Sequence, residues 1–402
     1  MSATPPPLTA EDPAERRAEL IARAAALRPQ LAAAAAQADR DRRLDDGVIE
    51  AVREAGLLRL TAPRRLGGYE ADGRALLGVA IELARGCAST AWVVGIMNTA
   101  SWMAGLYPDA AQAEVWADGP DTGMVGIIPP LAETRRADGG LIVTGKWPYA
   151  SGSQFAEWAS LGVPIGDGAG AGYQGLALIP SDDFTVGDTW HVAGMRATAS
   201  NTVVVEEAFV PDHRVISLGD ALEGNYATEH RDEVLYRAPF TGMLTFALTG
   251  PLVGMALAAL DYVIEKAPKR AIATSIYKAQ TDSVGFQVQV AEAAAMINAA
   301  QLVAERAATV VDEAALAGVQ LDLMERCRIR MDTAYVAKTC REAVDVLMNA
   351  HGTSGFAQVA GIERIWRDVE TASRHALSND GIAREVYGKA LLGVDERVAM
   401  LL

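Results

Sequence analysis

Arg364-Ile365-Trp366-Arg367-Asp368-Val369-Glu370-Thr371-Ala372-Ser373-Arg374-His375-Ala376 is the stretch from which the rest of the chain can be read. Arg364, Arg367 and Arg374 stand three and seven residues apart, a spacing that lets them share one helix face. Glu363, Asp368 and Glu370 are within reach as ion-pair partners. The run closes on His375, whose imidazole can hold or pass one proton near neutral pH. Ala376 follows it and can do no proton chemistry.

Working outward, helical periodicity fills the chain from about residue 239 to residue 402, with long Ala-rich stretches at 244–267, 286–315 and 323–349. Lengths beyond twenty residues with apolar faces predict a four-helix bundle. Alanine faces also suit packing against another subunit, although general alanine enrichment explains them equally well. Between about 122 and 215 the signal is strand-like. Leu141-Ile142-Val143-Thr144 follows the turn Ala137-Asp138-Gly139-Gly140, and 159–163, 175–179 and 202–205 are further candidate strands. A small barrel or sandwich is expected there. The first block, 9–118, is helical again. Thr9 and Asp12 look like a capping box, Pro13 suits a first turn, and 71–85 and 89–106 are helices, the latter apolar nearly all round and so buried. The domains expected are 1–118 helical, 119–218 β and 219–402 helical bundle, a mostly-α α+β protein.

The chain has 402 residues, half of them apolar, which is enough for a large core. A net charge of −15 argues against nucleic acid and anionic membrane surfaces as partners. Cys87, Cys327 and Cys340 have no metal-like spacing and read as free thiols in a reducing compartment. No CxxC, HxxxH or carboxylate cluster suggests a metal. No apolar signal core occupies residues 1–10 and no uninterrupted apolar run reaches 18 residues, so a soluble cytoplasmic protein is expected. The glycines at 123, 126 and 166–172 form no G-x-G-x-x-G after a strand, so NAD(P)H should not bind here.

The order helices, strands, bundle resembles the acyl-CoA dehydrogenase fold over nearly the whole chain. Pro63-Arg64-Arg65-Leu66-Gly67-Gly68-Tyr69-Glu70, Gly194-Met195-Arg196-Ala197-Thr198-Ala199-Ser200 with Phe209-Val210-Pro211, and His351-Gly352-Thr353-Ser354-Gly355 are similar to local signatures of that superfamily. In its dehydrogenases the loop after the arginine–aspartate pair opens with a catalytic glutamate. Counted from Arg367-Asp368, that position is Ala376, so the fold is implied and its best-known reaction is not. Gly145-Lys146-Trp147-Pro148-Tyr149-Ala150-Ser151-Gly152, Arg85-Gly86-Cys87-Ala88-Ser89-Thr90-Ala91-Trp92 and the Ser373-Arg374-His375 run resemble a narrower branch. That branch holds the oxygenase components of two-component (group D) flavin-dependent monooxygenases, such as the p-hydroxyphenylacetate and aromatic polyketide hydroxylases.

The resemblance implies reduced FMN or FAD delivered by a separate NAD(P)H:flavin reductase, O2 as co-substrate, a C4a-hydroperoxyflavin, and hydroxylation of an aromatic or polyketide-like molecule by a homotetramer. Such a site must exclude water and control protons. Ser151 and His375 are then the catalytic candidates. Ser151 would hydrogen-bond flavin N5, and His375 would orient the peroxide or assist deprotonation of a phenol. Trp92, Tyr149, Gly152 and Arg270, the last from a neighbouring subunit, are the further cofactor-binding candidates. Met97, Asn98 and Gly126 fall where relatives contact substrate. Their small or apolar surroundings suggest a larger, less polar substrate. Ser151 can also be read as a strand-end turn, His375 as a structural helix-end histidine and Trp92 as core. Amine N-oxygenation, dehydrogenation with a relocated base, and a flavin-free scaffold are the alternative functions.

Overall fold

Asp12 starts the first helix, α1 (Pro13–Asp41), by accepting hydrogen bonds from the Ala14 and Glu15 amides, with Pro13 in the first turn. Thr9 takes no part in that cap; its hydroxyl and amide go to Glu19, because Asp12 sits directly before the helix and outcompetes it. In this computed structural model the described residues are 7–10, 12–166, 173–396, 398–399 and 401. Residues 1–6 of the proline-rich start, and all of the 166–172 glycine cluster except Gly166, lie outside them. After α1 come α2 (Asp46–Glu54), α3 (Gly73–Gly86), α4 (Ala88–Ala104) and α5 (Asp109–Val115). Most of α4 is buried, as its all-round apolar character requires.

Among the described residues eight strands follow: β1 (Met124–Ile127), β2 (Ala132–Ala137), β3 (Gly140–Ala150), β4 (Trp158–Pro164), β5 (Gln174–Pro180), β6 (Thr185–Gly187), β7 (Asn201–Pro211) and β8 (Val215–Ser217). They form two four-stranded sheets, in the orders β1-β4-β5-β8 and β2-β3-β7-β6. Side chains of both sheets interdigitate in one apolar core that includes Val143, Trp147, Leu161, Ile179 and Val205. The Trp147 indole is fully buried and donates to the Gly162 carbonyl of the opposite sheet at 2.9 Å. Strands of three to six residues, β1, β2, β6 and β8, carry too little alternation to be read from sequence.

The remaining helices are α6 (Leu218–Leu222), α7 (Phe240–Lys266), α8 (Val284–Ala317), α9 (Leu323–His351), α10 (Gly361–Ala372) and α11 (Asp380–Leu392). Helix α7 is apolar and long enough to cross a bilayer, yet 83% of its most apolar window is buried inside the protein. It packs on α3, α4, α8, α9 and α10, and so joins the first and last helical blocks in one core. Gly254 allows its approach to α3: a Cβ there would lie 2.4 Å from the Ile81 carbonyl oxygen.

Where α10 meets the loop between β6 and β7, the two chain segments nearly touch. A Cβ on Gly194 would lie 1.9 Å from the Arg367 carbonyl oxygen. Arg367 pairs with Asp39 at 3.1 Å and Glu363 at 2.6 Å and also donates to the Ala193 carbonyl. The pairing of Arg374 with Glu370 is likewise as the sequence suggests. Asp368 departs from that expectation, because its carboxylate accepts the Met195 amide at 2.5 Å. Burial pushes this carboxyl up from its ordinary 3.8 to about 7, with the Met195 hydrogen bond pulling down and nearby Asp39 adding to the rise. Since the folded value lies above the unfolded one, this group's contribution to stability is full below about pH 3.8 and is lost as pH rises through 7. Asp368→Asn keeps an oxygen acceptor for Met195 and cannot ionise. Its melting temperature relative to wild type is expected to climb between pH 4 and pH 7 and then level off; a difference flat with pH would contradict the assignment. Asp368→Ala strands the Met195 amide and is expected to cost about 1–3 kcal/mol, read by urea denaturation.

Candidate active site

The end of β3 is bent. Tyr149 has φ 68°, Gly152 has φ 78°, and the pairing of β3 with β7 is irregular between Trp147 and Ala150. A non-glycine residue held at positive φ next to a bulge is a local strain that redirects side chains. Here it turns Ser151 inward, where it is buried, toward the first turns of α4. The Trp92 indole of α4 donates to Ser151 Oγ at 3.2 Å, and Ser151 Oγ lies 2.7 Å from Ser200 Oγ. Ser200 Oγ is 2.7 Å from Thr198 Oγ1, which donates to the Met195 carbonyl at 2.8 Å. The Gly152 amide, bonded to the Thr198 carbonyl at 2.9 Å, ties the two loops together.

The carbonyl at the end of this chain fixes its direction. Each hydroxyl has one hydrogen. Thr198 gives its hydrogen to Met195, so it accepts from Ser200. Ser200 has then used its hydrogen and accepts from Ser151. Ser151 therefore donates to Ser200 and accepts from Trp92. One lone pair on Ser151 Oγ is left, and it can only accept.

His375 stands on the other side of Trp92, with ring centroids 5.8 Å apart in an edge-to-face arrangement. Its Nδ1 accepts the Leu377 amide at 3.2 Å and caps the short turn Ala376–Ser378. That bond assigns the remaining proton of the neutral ring to Nε2. Burial, and then the nearby Arg330 guanidinium, push His375 down from 6.5 to about 4. It is half-buried by surface area, but dense protein surrounds the ring, and neutrality at physiological pH follows.

Ser151, Gly152, Trp92 and His375 thus meet in one place, and Met97 joins them. A Cβ on Gly152 would lie 2.9 Å from Val93 Cγ1 and 3.1 Å from the Met97 methyl. Tyr149 projects outward, 72% exposed, with its ring edge-to-face with Trp190 at 6.0 Å. Asn98 is not available to a substrate. Its amide donates to the Leu57 and Val94 carbonyls at 2.8 and 2.9 Å, and its oxygen accepts from Thr61, which makes it a buried clamp between helices. Gly126 is likewise occupied by packing: a Cβ there would meet the Met103 methyl at 2.5 Å. Arg270 contacts the His351 carbonyl and Ser354 Oγ, and among the described residues it shares no hydrogen-bond partner with Ser151. Thr198, Ser200 and the Met195 carbonyl were not singled out from the sequence as site residues. Their only trace was the pair of hydroxyls inside the Gly194–Ser200 motif.

Comparison with known proteins gives the family of the chain. The acyl-CoA dehydrogenase N-terminal domain family matches residues 16–119 and the C-terminal domain family residues 246–380. The oxygenase subunit HsaA of a flavin-dependent monooxygenase from Rhodococcus jostii (strain RHA1) is 33% identical over 374 residues, covering 92% of this chain and 97% of that protein. The chain belongs to the oxygenase subunits of the flavin-dependent monooxygenases. The oxygenase component of an FADH2-dependent resorcinol hydroxylase from a Rhizobium species is 29% identical, covering 94% of this chain and 95% of that one. The solved structure of XiaF from a Streptomyces species, in complex with FADH2 and glycerol, superposes with a TM-score of 0.89 at 36% identity, covering 97% and 98% of the two chains.

The oxygenase site of this chain fits a reduced flavin on its own chemistry. The N5 of a reduced flavin carries a hydrogen, and the one open valence of Ser151 is an acceptor. The oxidised ring has no hydrogen at N5 and finds no donor in Ser151. Exposed Tyr149 and half-buried Trp190 supply an aromatic wall beside the same strand end. Ser200→Ala removes the acceptor that directs the Ser151 hydrogen. The preference for reduced over oxidised flavin, measured by anaerobic fluorescence titration, is expected to fall about fivefold, one hydrogen bond of ~1 kcal/mol. Thr198→Ser should retain it; an unchanged ratio in Ser200→Ala would remove the directional argument. For His375, folded pKa below unfolded means stability declines as pH falls from 6.5 toward 4 and is constant above. Its imidazole NMR resonances are expected to stay flat from pH 5.5 to 8, and a midpoint near 6.5 would contradict the burial argument.

Proposed function

We propose that the chain is the oxygenase component of a two-component monooxygenase that hydroxylates an aromatic or polyketide-like small molecule, with reduced flavin made by a separate reductase. The observation that carries this reading is the directed hydroxyl chain ending in an acceptor-only Ser151 beside a neutral His375. FADH2 is the favoured flavin, in keeping with the FADH2-dependent resorcinol hydroxylase and with XiaF bound to FADH2. A bound reduced flavin supplies two electrons to O2, so that one oxygen atom enters the substrate and the other leaves as water.

The protein's residues hold and shield. Ser151 accepts one hydrogen bond and, being an alcohol, adds no charge. Trp92, Met97 and Val93 close the surroundings of Ser151 against water. His375 presents an Nε2 hydrogen and has its other nitrogen engaged by Leu377. In this tautomer it donates to an oxygen and does not act as a base. Dehydrogenation is disfavoured because Ala376 stands at the superfamily's glutamate position. The exposed apolar side chains Val284, Val288, Leu302 and Leu316 on α8 favour a homo-oligomer, for which a tetramer is the proposal, in the cytoplasm.

The test is rapid mixing of protein loaded with FADH2 against oxygenated buffer, following oxidised-flavin absorbance and hydrogen peroxide together. Oxidised flavin is expected to appear at least tenfold more slowly than from free FADH2, with peroxide yield falling when an accepted aromatic is present. Oxidation at the free-solution rate despite confirmed binding would overturn the reading. Ser151→Ala is expected to restore fast oxidation and near-full peroxide release.

A further inference from the structure

Helix α10 serves the oxygenase site twice. Three consecutive residues of the loop between β6 and β7 rest on it. The Ala193 carbonyl accepts from Arg367, Gly194 lies against the Arg367 carbonyl, and the Met195 N–H donates to Asp368 at 2.5 Å. Just past its end the same helix delivers His375, whose amide bonds back to the Ala372 carbonyl at 3.2 Å. Asp368 is only 5% exposed, so its bond to Met195 is made away from water. A hydrogen bond to an ionised acceptor in such surroundings is among the strong ones.

Met195 and Ala199, at φ 54° and 43°, bracket the single turn Arg196–Thr198. Non-glycine residues keep such conformations only where their surroundings hold them. The Met195 carbonyl takes three donors: the Thr198 hydroxyl at 2.8 Å, the Trp190 indole at 3.0 Å and the Thr198 amide at 3.2 Å. Where that carbonyl points depends on the Met195 torsions, and Asp368 anchors them from the N–H side. The Thr198 hydroxyl follows the carbonyl, Ser200 follows Thr198, and Ser151 follows Ser200.

We infer that Asp368 is a positioning residue for the flavin site: by holding the Met195 backbone in its left-handed conformation, it keeps the Thr198 and Ser200 hydroxyls aligned and so leaves Ser151 an acceptor. Its assigned work reaches the flavin only through those residues, and the flavin half of the role rests on the oxygenase reading above. A change of charge on Asp368 is then felt at Ser151. The groups facing Asp368 are Asp39 of α1, Arg364 and Arg367 of its own helix, and the Cys87 thiol before α4. Burial raises the Asp368 carboxyl to about 7; the Met195 bond and both arginines oppose that rise and Asp39 adds to it. Burial also pushes the Cys87 thiol up and His375 down to about 4, so neither changes charge near pH 7.

The first test needs no flavin. In full-length protein labelled with 5-fluorotryptophan, fluorine NMR follows Trp190, bonded to the Met195 carbonyl, and Trp92, bonded to Ser151 Oγ. Both resonances are expected to shift together with a midpoint near pH 7, and to stay fixed in Asp368→Asn, which cannot ionise. A Trp92 resonance that ignores pH, or that shifts equally in Asp368→Asn, would overturn the inference. The second test is the anaerobic titration with reduced and oxidised FAD. Asp368→Ala is expected to lower the preference for reduced FAD about fivefold, as Ser200→Ala does, and Asp368→Asn to retain it. Because both substitutions act on one line of hydroxyls, the double variant is expected to lose no more than either alone. A preference intact in Asp368→Ala, or a loss of about 25-fold in the double variant, would show independent action and equally overturn it. A merely structural aspartate lowers the melting temperature and moves neither readout. A protein that binds no flavin sinks the oxygenase reading, and the fluorine resonances then judge Asp368 by themselves.

Discussion

The backbone of Met195 is the hinge on which the site depends. Its N–H is held by the buried Asp368 carboxylate, and its C=O receives the Thr198 hydroxyl and the Trp190 indole. Met195 sits at φ 54°, a conformation that needs such external support in a non-glycine residue. The backbone of one residue therefore joins helix α10 to the β sandwich. From its carbonyl a line of hydroxyls runs through Thr198 and Ser200 to Ser151. The orientation of one small group beside the cofactor is thus set by a carboxylate on a different structural layer.

Burial without compensation recurs around this site and has different outcomes. Asp368 is fully enclosed and its carboxyl titrates near neutrality, while the same kind of enclosure keeps His375 uncharged down to about pH 4. Both effects come from the cost of holding charge away from water. A neutral histidine and an alcohol chain give a site able to offer and accept hydrogen bonds without placing charge against a reactive flavin.

Much of the fold was legible because long periodic segments dominate it. The bundle helices α8 and α9 enclose the stretches expected at 286–315 and 323–349, α7 covers all but the last residue of 244–267, and the Asp138–Gly139 turn joins β2 to β3 as its residues predict. The short edge strands were invisible, since three to six residues carry too little period to be read. At the site, Trp92, Ser151, Gly152, Met97 and His375 come together. Asn98 and Gly126 do not line it, because residue type cannot reveal that an amide is already satisfied by backbone carbonyls or that a glycine serves helix–strand contact.

The sequence by itself determined the class of the protein. Helical period, turn residues and the substitution of alanine at position 376 are local or countable properties, and they specify a mostly helical architecture without the acyl-CoA dehydrogenase base. Tertiary structure alone decided which way each hydroxyl points, which nitrogen of His375 carries its proton, and which backbone amide the Asp368 carboxylate accepts. Those depend on partners as much as 173 residues apart, as between Asp368 and Met195, and on the exclusion of water once the layers close. Distance along the chain carries no information about either.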